Sequence, residues 1–84
     1  MCAESRVALI GIVVSESASV PKLNAYLHEC AGYIIGRMGM PYEDRGISII
    51  NVTLDAPEYV IQTLVSQLGF LSGVSVKAIY SQIK

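Results

Sequence analysis

The side chains able to do chemistry collect in one stretch of the chain, residues 33–50, where Arg37, Tyr42, Glu43, Asp44 and Arg45 lie between two apolar runs. Gly36 and Gly39 cut the first run and permit left-handed backbone or close backbone approach. Pro41 holds φ at about −65° and removes an N–H donor. Together they predict a bulged or bent strand end followed by a turn, hence a hairpin. On opposite arms of that hairpin, Arg37 and Arg45 can converge on an anion or pair with Glu43 and Asp44, although charged turns are most often simply solvated. Arg37, Tyr42, Glu43 and Arg45 are therefore the candidate ligand- or partner-binding residues.

Catalysis needs a nucleophile beside a base, a carboxylate pair in a cleft, or a metal with an open position, and the chain offers little of this. The single histidine, His28, precedes Cys30 by two positions, which puts the two side chains about 200° apart around a helix. They do not jointly hold one metal; a site shared across an oligomer interface, with Cys2 or carboxylates of another subunit, is the remaining route. Two cysteines this far apart also make neither a disulfide scaffold nor a zinc site, and packed or idle thiols are expected. Gly36-Arg37-Met38-Gly39 lacks the glycine spacing, the lysine and the following helix of a phosphate-binding loop. No cofactor is expected. Met38 and Met40 fall on one strand face, where methionine more often fills gaps in a core than forms an adaptable binding surface. The tyrosines 26, 33, 42, 59 and 80 are expected to edge the core or an interface.

Composition narrows the function classes. The chain has 84 residues, enough for one small domain over residues 1–84. Hydrophobic residues make up 52% and charged residues 15%, the latter well under the usual share of about 25%, which favours self-association. Six basic and seven acidic residues are spread along the chain, so no basic stripe exists for direct nucleic-acid binding. The longest apolar run, residues 7–14, is far shorter than the roughly 20 residues that span a bilayer, and its flanks Glu4 and Arg6 do not read as a signal peptide. No membrane association and a cytoplasmic location are expected.

The elements that must position the hairpin follow from periodicity. Residues 6–14 are apolar almost throughout and predict a central strand covered on both faces. Val20, Leu23, Leu27 and Cys30 then trace one face of a helix, with Ser19 as the candidate N-cap, Pro21 in the first turn and Gly32 as its end. Residues 33–40 and 46–54 are the hairpin strands, the second apolar on both faces. Asp55-Ala56-Pro57-Glu58 has the chemistry of a helix start, with Asp55 or Ala56 as cap, and the stripe Val60, Ile61, Leu64, Val65, Leu68 runs to Gly69. Val74, Val76, Ala78 and Tyr80 alternate with Ser75, Lys77, Ile79 and Ser81 in a last, half-exposed strand. Strand, helix, strand, strand, helix, strand is the α+β, ferredoxin-like βαββαβ sandwich: a four-stranded antiparallel sheet with two helices on one face. Two helices cover one face only, so the apolar second face predicts a homo-oligomer, dimer or tetramer, packed face to face or edge to edge through the sheet.

The run 33–50, with its segment Gly36-Arg37-Met38-Gly39-Met40-Pro41-Tyr42, together with residues 64–69 and 72–77, resembles the small regulators of the iron-only hydrogenase system, over residues 6–80. The resemblance implies a stand-alone ferredoxin-like domain, similar to ACT domains and to the C-terminal domain of nickel-responsive repressors, encoded near hydrogenase maturation functions. It implies regulation rather than catalysis. The chain departs from those relatives in having no DNA-binding arm and no His and Cys cluster for nickel. The ACT-type effector loop, here Ser15 through Leu23, contains no glycine, and Pro21 and Leu23 alone echo its pattern. The expected function is thus a non-enzymatic, homo-oligomeric module binding a small effector or a protein partner. The alternative is a structural adaptor or maturation accessory that docks on another protein without a ligand.

Overall fold

The computed structural model describes residues 5–82. Cys2 and Glu4 lie outside the described residues. Strand β1 (Ser5–Val14) is followed by helix α1 (Val20–Glu29), strands β2 (Ile34–Tyr42) and β3 (Ile47–Pro57), helix α2 (Glu58–Gly69) and strand β4 (Val74–Tyr80). Three short 3₁₀ turns, Ser17–Ser19, Ala31–Tyr33 and Glu43–Arg45, complete the connections. The four strands form one antiparallel sheet in the order β2-β3-β1-β4, the expected ferredoxin-like arrangement.

Strand pairing decides which face each side chain joins. Ala8, Ile10, Ile12 and Val14 of β1 stand opposite Leu54, Val52, Ile50 and Ser48 of β3 and opposite Tyr80, Ala78, Val76 and Val74 of β4, so all share one face. Leu23 and Leu27 of α1 and Ile61, Leu64 and Leu68 of α2 close over that face and build a single core with it. The other face carries Leu9, Val13, Met38, Met40 and Ile79, all exposed. β1 is central as expected, yet the chain itself covers only one of its faces.

The bulge in β2 redirects the hairpin. Ile34 pairs with Leu54 and Gly36 with Thr53, so Ile35 is the extra residue and every later side chain of β2 changes face. Arg37, Gly39 and Pro41 thereby turn to the helix side, and Met38 and Met40 to the open side, where they are 60% and 43% exposed. The expected core role for the methionines is therefore corrected.

Other boundaries shift for identifiable reasons. Asp55 and Ala56 do not cap a helix: they pair with Val7 and Arg6 as part of β3, and Pro57 occupies the N-cap position of α2 without a side-chain cap bond. Sheet pairing outweighs local helix-start chemistry there. α1 ends at Glu29, with Cys30 as its C-cap, and Gly32 falls in the following 3₁₀ turn rather than terminating the helix. Ser19 does stand at the N-cap of α1, but its hydroxyl donates to Ser72 O at 2.6 Å instead of accepting from the helix.

Candidate functional site

The hairpin places its candidate residues at separate points. Arg37 sits mid-strand on the helix side, and its Nη2 donates to Asn24 Oδ1 of α1 at 2.8 Å. Tyr42 ends β2 opposite Ile47, roughly 17 Å along the strand from Arg37 at about 3.4 Å per residue. Glu43 and Arg45 belong to the 3₁₀ turn beyond it, which Gly46 closes with φ of 64°. Arg37 and Arg45 do not converge on one point. Among the described residues the one side-chain ion pair is Arg6 to Glu58, at 3.0 Å on the far end of the sheet, so neither arginine pairs with Glu43 or Asp44.

The hairpin tip instead meets the loop between β1 and α1. Val14 pairs with both Ser48 and Val74, which brings the end of β1, the start of β3 and the start of β4 to one end of the sheet. There the β1–α1 loop is stapled to the turn before β4. Ser15 N–H donates to Gly73 O at 2.7 Å, Ser15 Oγ donates to the same oxygen at 3.1 Å, and Ser19 Oγ reaches Ser72 O. Gly73 permits the approach: its φ is 71°, and a Cβ on it would lie 2.8 Å from Glu16 Cβ and Cγ and 2.9 Å from Glu16 N.

Between this fixed loop and the hairpin tip lies a cleft of about 190 Å³, whose polar wall is Ser15, Ser17, Glu43 and Ser48 and whose apolar wall includes Val20 and Pro41. Of the four sequence candidates, Glu43 alone lines it. The cleft offers one carboxylate, several hydroxyls and a greasy side, which suits a small molecule carrying a cationic or hydrogen-donating group beside an apolar one. The resemblance pointed to Ser15 through Leu23 as an effector loop, but its lack of glycine kept Ser15 and Ser17 out of the candidate set, and the role of Gly73 was passed over; a glycine just before a strand pattern was the available signal for the last.

Cys30 is buried where α1 ends, and burial, with the Glu29 charge adding to it, pushes its thiol above the ordinary value of 9.0. Such a thiol is a poor nucleophile and a packing residue. Among the described residues no group of three or more His, Cys, Asp and Glu is placed to hold a metal ion.

Residues 6–78 match the family model described as TM1266-like, "Iron-only hydrogenase system regulator, putative". The chain belongs to this family. A solved structure from the same family name, the uncharacterized protein TM1266 from Thermotoga maritima, is 30% identical and superposes with a TM-score of 0.90, covering 94% of this chain and 100% of that one. The C-terminal domain of the MgtC protein from Mycobacterium tuberculosis is similar in fold at 13% identity, with a TM-score of 0.71 over 99% of this chain and 95% of that one. A formyltetrahydrofolate deformylase from Pseudomonas putida KT2440 is likewise similar in fold at 13% identity, with a TM-score of 0.63 over 87% of this chain and 28% of that chain. No curated protein matches the sequence significantly. The TM1266-like match takes in the hairpin, the β1–α1 loop and Gly73, so the cleft is built wholly from family-matched residues. No helix among the described residues is long and apolar enough to cross a membrane.

Proposed function

We propose that this member of the hydrogenase-regulator family is a non-enzymatic, homo-oligomeric module that binds a small effector in the cleft and passes the event to its open sheet face. The observation that carries this reading is the shared hairpin end. Pro41, Ile47 and Ser48 all line the cleft, while Tyr42, paired with Ile47, stands with Met40 on the open face. A ligand that tightens the tip shifts the population of one arrangement of Tyr42 and Ile47, and a second copy seated on that face senses the change. Glu43 recognises the cationic group, Tyr42 and Arg45 flank the moving tip, and Arg37 anchors β2 to α1 through Asn24.

The adaptor reading is favoured by a different observation, the exposure of Leu9, Met38 and Ile79 on a face that the helices leave open. Light scattering coupled to size exclusion, followed by thermal denaturation with amino acids, nucleotides and divalent cations, separates the two. A class of small amines that raises the melting temperature of the native chain and not of Glu43→Gln supports the effector module. An oligomer indifferent to every ligand supports the adaptor, and a monomer at all concentrations overturns association through the open face.

A further inference from the structure

The sheet has two free edges, and they are protected differently. β2 carries the bulge at Ile35, Gly36, Gly39 and Pro41, the devices that keep an edge from pairing. β4 has no proline, glycine or register shift, and Lys77 is its only charge. The phase of the hydrogen bonds fixes which of its backbone groups look outward. Ser15 N–H donates to Gly73 O, and Ser81 N–H donates to Val7 O at 2.8 Å, with an unbroken β1–β4 register between them. Odd-numbered residues of β4 therefore bond β1, and even-numbered ones face the edge. Val74 N–H is taken by Leu71 O at 3.3 Å. Val76, Ala78 and Tyr80 each present an N–H and a C=O where no other strand lies among the described residues.

We infer that β4 pairs with β4 of a second copy, antiparallel about a two-fold axis at Ala78, making one continuous sheet from two. That register sets Val76 against the partner's Tyr80 and Ala78 against the partner's Ala78, so every outward backbone group finds a partner. It also sets Lys77 beside the partner's Ile79. An axis at Lys77 would oppose two lysines, and an axis at Val76 would call on Val74, whose N–H is already committed. The helix layer accepts the same operation. α2 packs chiefly on β4, and a groove of about 550 Å³ separates Gln62, Val65 and Ser66 of α2 from the outer side of Val76, Ala78 and Tyr80. The partner's side chains at those positions point to the helix side and enter this groove. A helix is about 10 Å wide and two strands span about 10 Å, so the partner's α2 follows at the spacing the layer already has.

A seven-residue edge is about 24 Å long, which gives a contact at the small end of specific interfaces, and the pairing therefore grows with concentration. It is independent of the effector cleft and of the open face. Residue-resolved amide exchange on the wild-type chain tests it. The amides of Val76, Ala78 and Tyr80 are expected to slow about fivefold or more between roughly 20 μM and 1 mM. In a mixed isotope-labelled sample, an intermolecular NOE between the Lys77 and Ile79 α-protons then reports the register. Ala78→Pro removes one outward N–H at an edge position that tolerates proline, and is expected to abolish the concentration dependence while leaving β1 amide protection intact. Edge amides that exchange freely at every concentration overturn the proposal, whether or not light scattering finds an oligomer. Protection that appears only with a foreign strand overturns it as well.

Discussion

Both faces of the sheet carry large apolar side chains, and these serve opposite ends. On one, Ala8, Ile10, Ile12 and Val14 are sealed beneath the helices; on the other, Leu9, Val13, Met38, Met40 and Ile79 stay exposed. Leu9 and Ile10 are chain neighbours of similar size, yet they are 51% and 1% exposed. The comparison teaches that much of this chain's hydrophobic content is not used to fold it. Apolar surface left outside the core contributes only when something covers it, so it belongs to association.

A pair of alanine substitutions breaks the comparison most forcefully. Ile10→Ala leaves a cavity between sheet and helices and is expected to cost about 2–5 kcal/mol in denaturant unfolding. Leu9→Ala is expected to change the stability of the isolated chain by about 0.5 kcal/mol or less, while weakening association seen by light scattering. Equal losses of stability at dilute concentration would mean that the open face is covered within the chain.

Two glycines sharpen the comparison at the end where the closed face is sealed. Gly46 and Gly73 both have positive φ, but an alanine Cβ at Gly46 meets nothing within 4 Å, whereas at Gly73 it strikes Glu16. Gly46→Ala is expected to cost about 1–2 kcal/mol from left-handed backbone alone, and Gly73→Ala about 1–2 kcal/mol more from the displaced β1–α1 loop. Thermal unfolding measures both, and because Gly46 itself lines the cleft while Gly73 holds the loop that walls it, any effector bound there should weaken in both variants.

The closed face was largely legible in the sequence, and the open one was not. Helix stripes such as Leu23 and Leu27, or Ile61, Leu64 and Leu68, have one period and one meaning, and the alternation of β4 marks a half-covered strand. In β1, by contrast, Leu9 and Ile10 read alike, because what covers the second face is not encoded by alternation. The bulge hid the rest. Gly36, Gly39 and Pro41 signalled a bulged or bent strand but not where the extra residue falls; its place at Ile35 inverted β2, sending Met38 outward and Arg37 onto α1. Glu43 was identifiable as a polar turn residue, but its neighbours Ser15 and Ser17 come from a loop almost thirty positions away, joined to it only by sheet topology.

Ser19 tests how firmly the closed end is tied. Its hydroxyl, in a buried residue, donates to Ser72 O, whereas Ser15 Oγ only adds to an oxygen that its own N–H already serves. Ser19→Ala is expected to cost about 1 kcal/mol, since it removes a part-buried bond that ties a buried residue to the turn before β4, and Ser15→Ala about 0.5 kcal/mol or less. Similar values for both would mean that water replaces the Ser19 bond.

The smallest effect lies at Cys30, at the rim of the closed face. Burial raises its thiol from the ordinary 9.0, so the folded chain holds the proton more tightly than the unfolded chain does. As pH climbs past that value the unfolded state ionises first and binds fewer protons, which pulls the equilibrium toward unfolding. Stability should be unaffected by this group below about pH 9 and decline above it, and Cys30→Ala should remove that part of the slope in urea titrations at pH 8 and pH 10. The same burial predicts slow alkylation of Cys30 in the native state and fast alkylation in urea. An exposed thiol would react equally in both and show no such slope, and would place the rim of the closed face one turn earlier along α1.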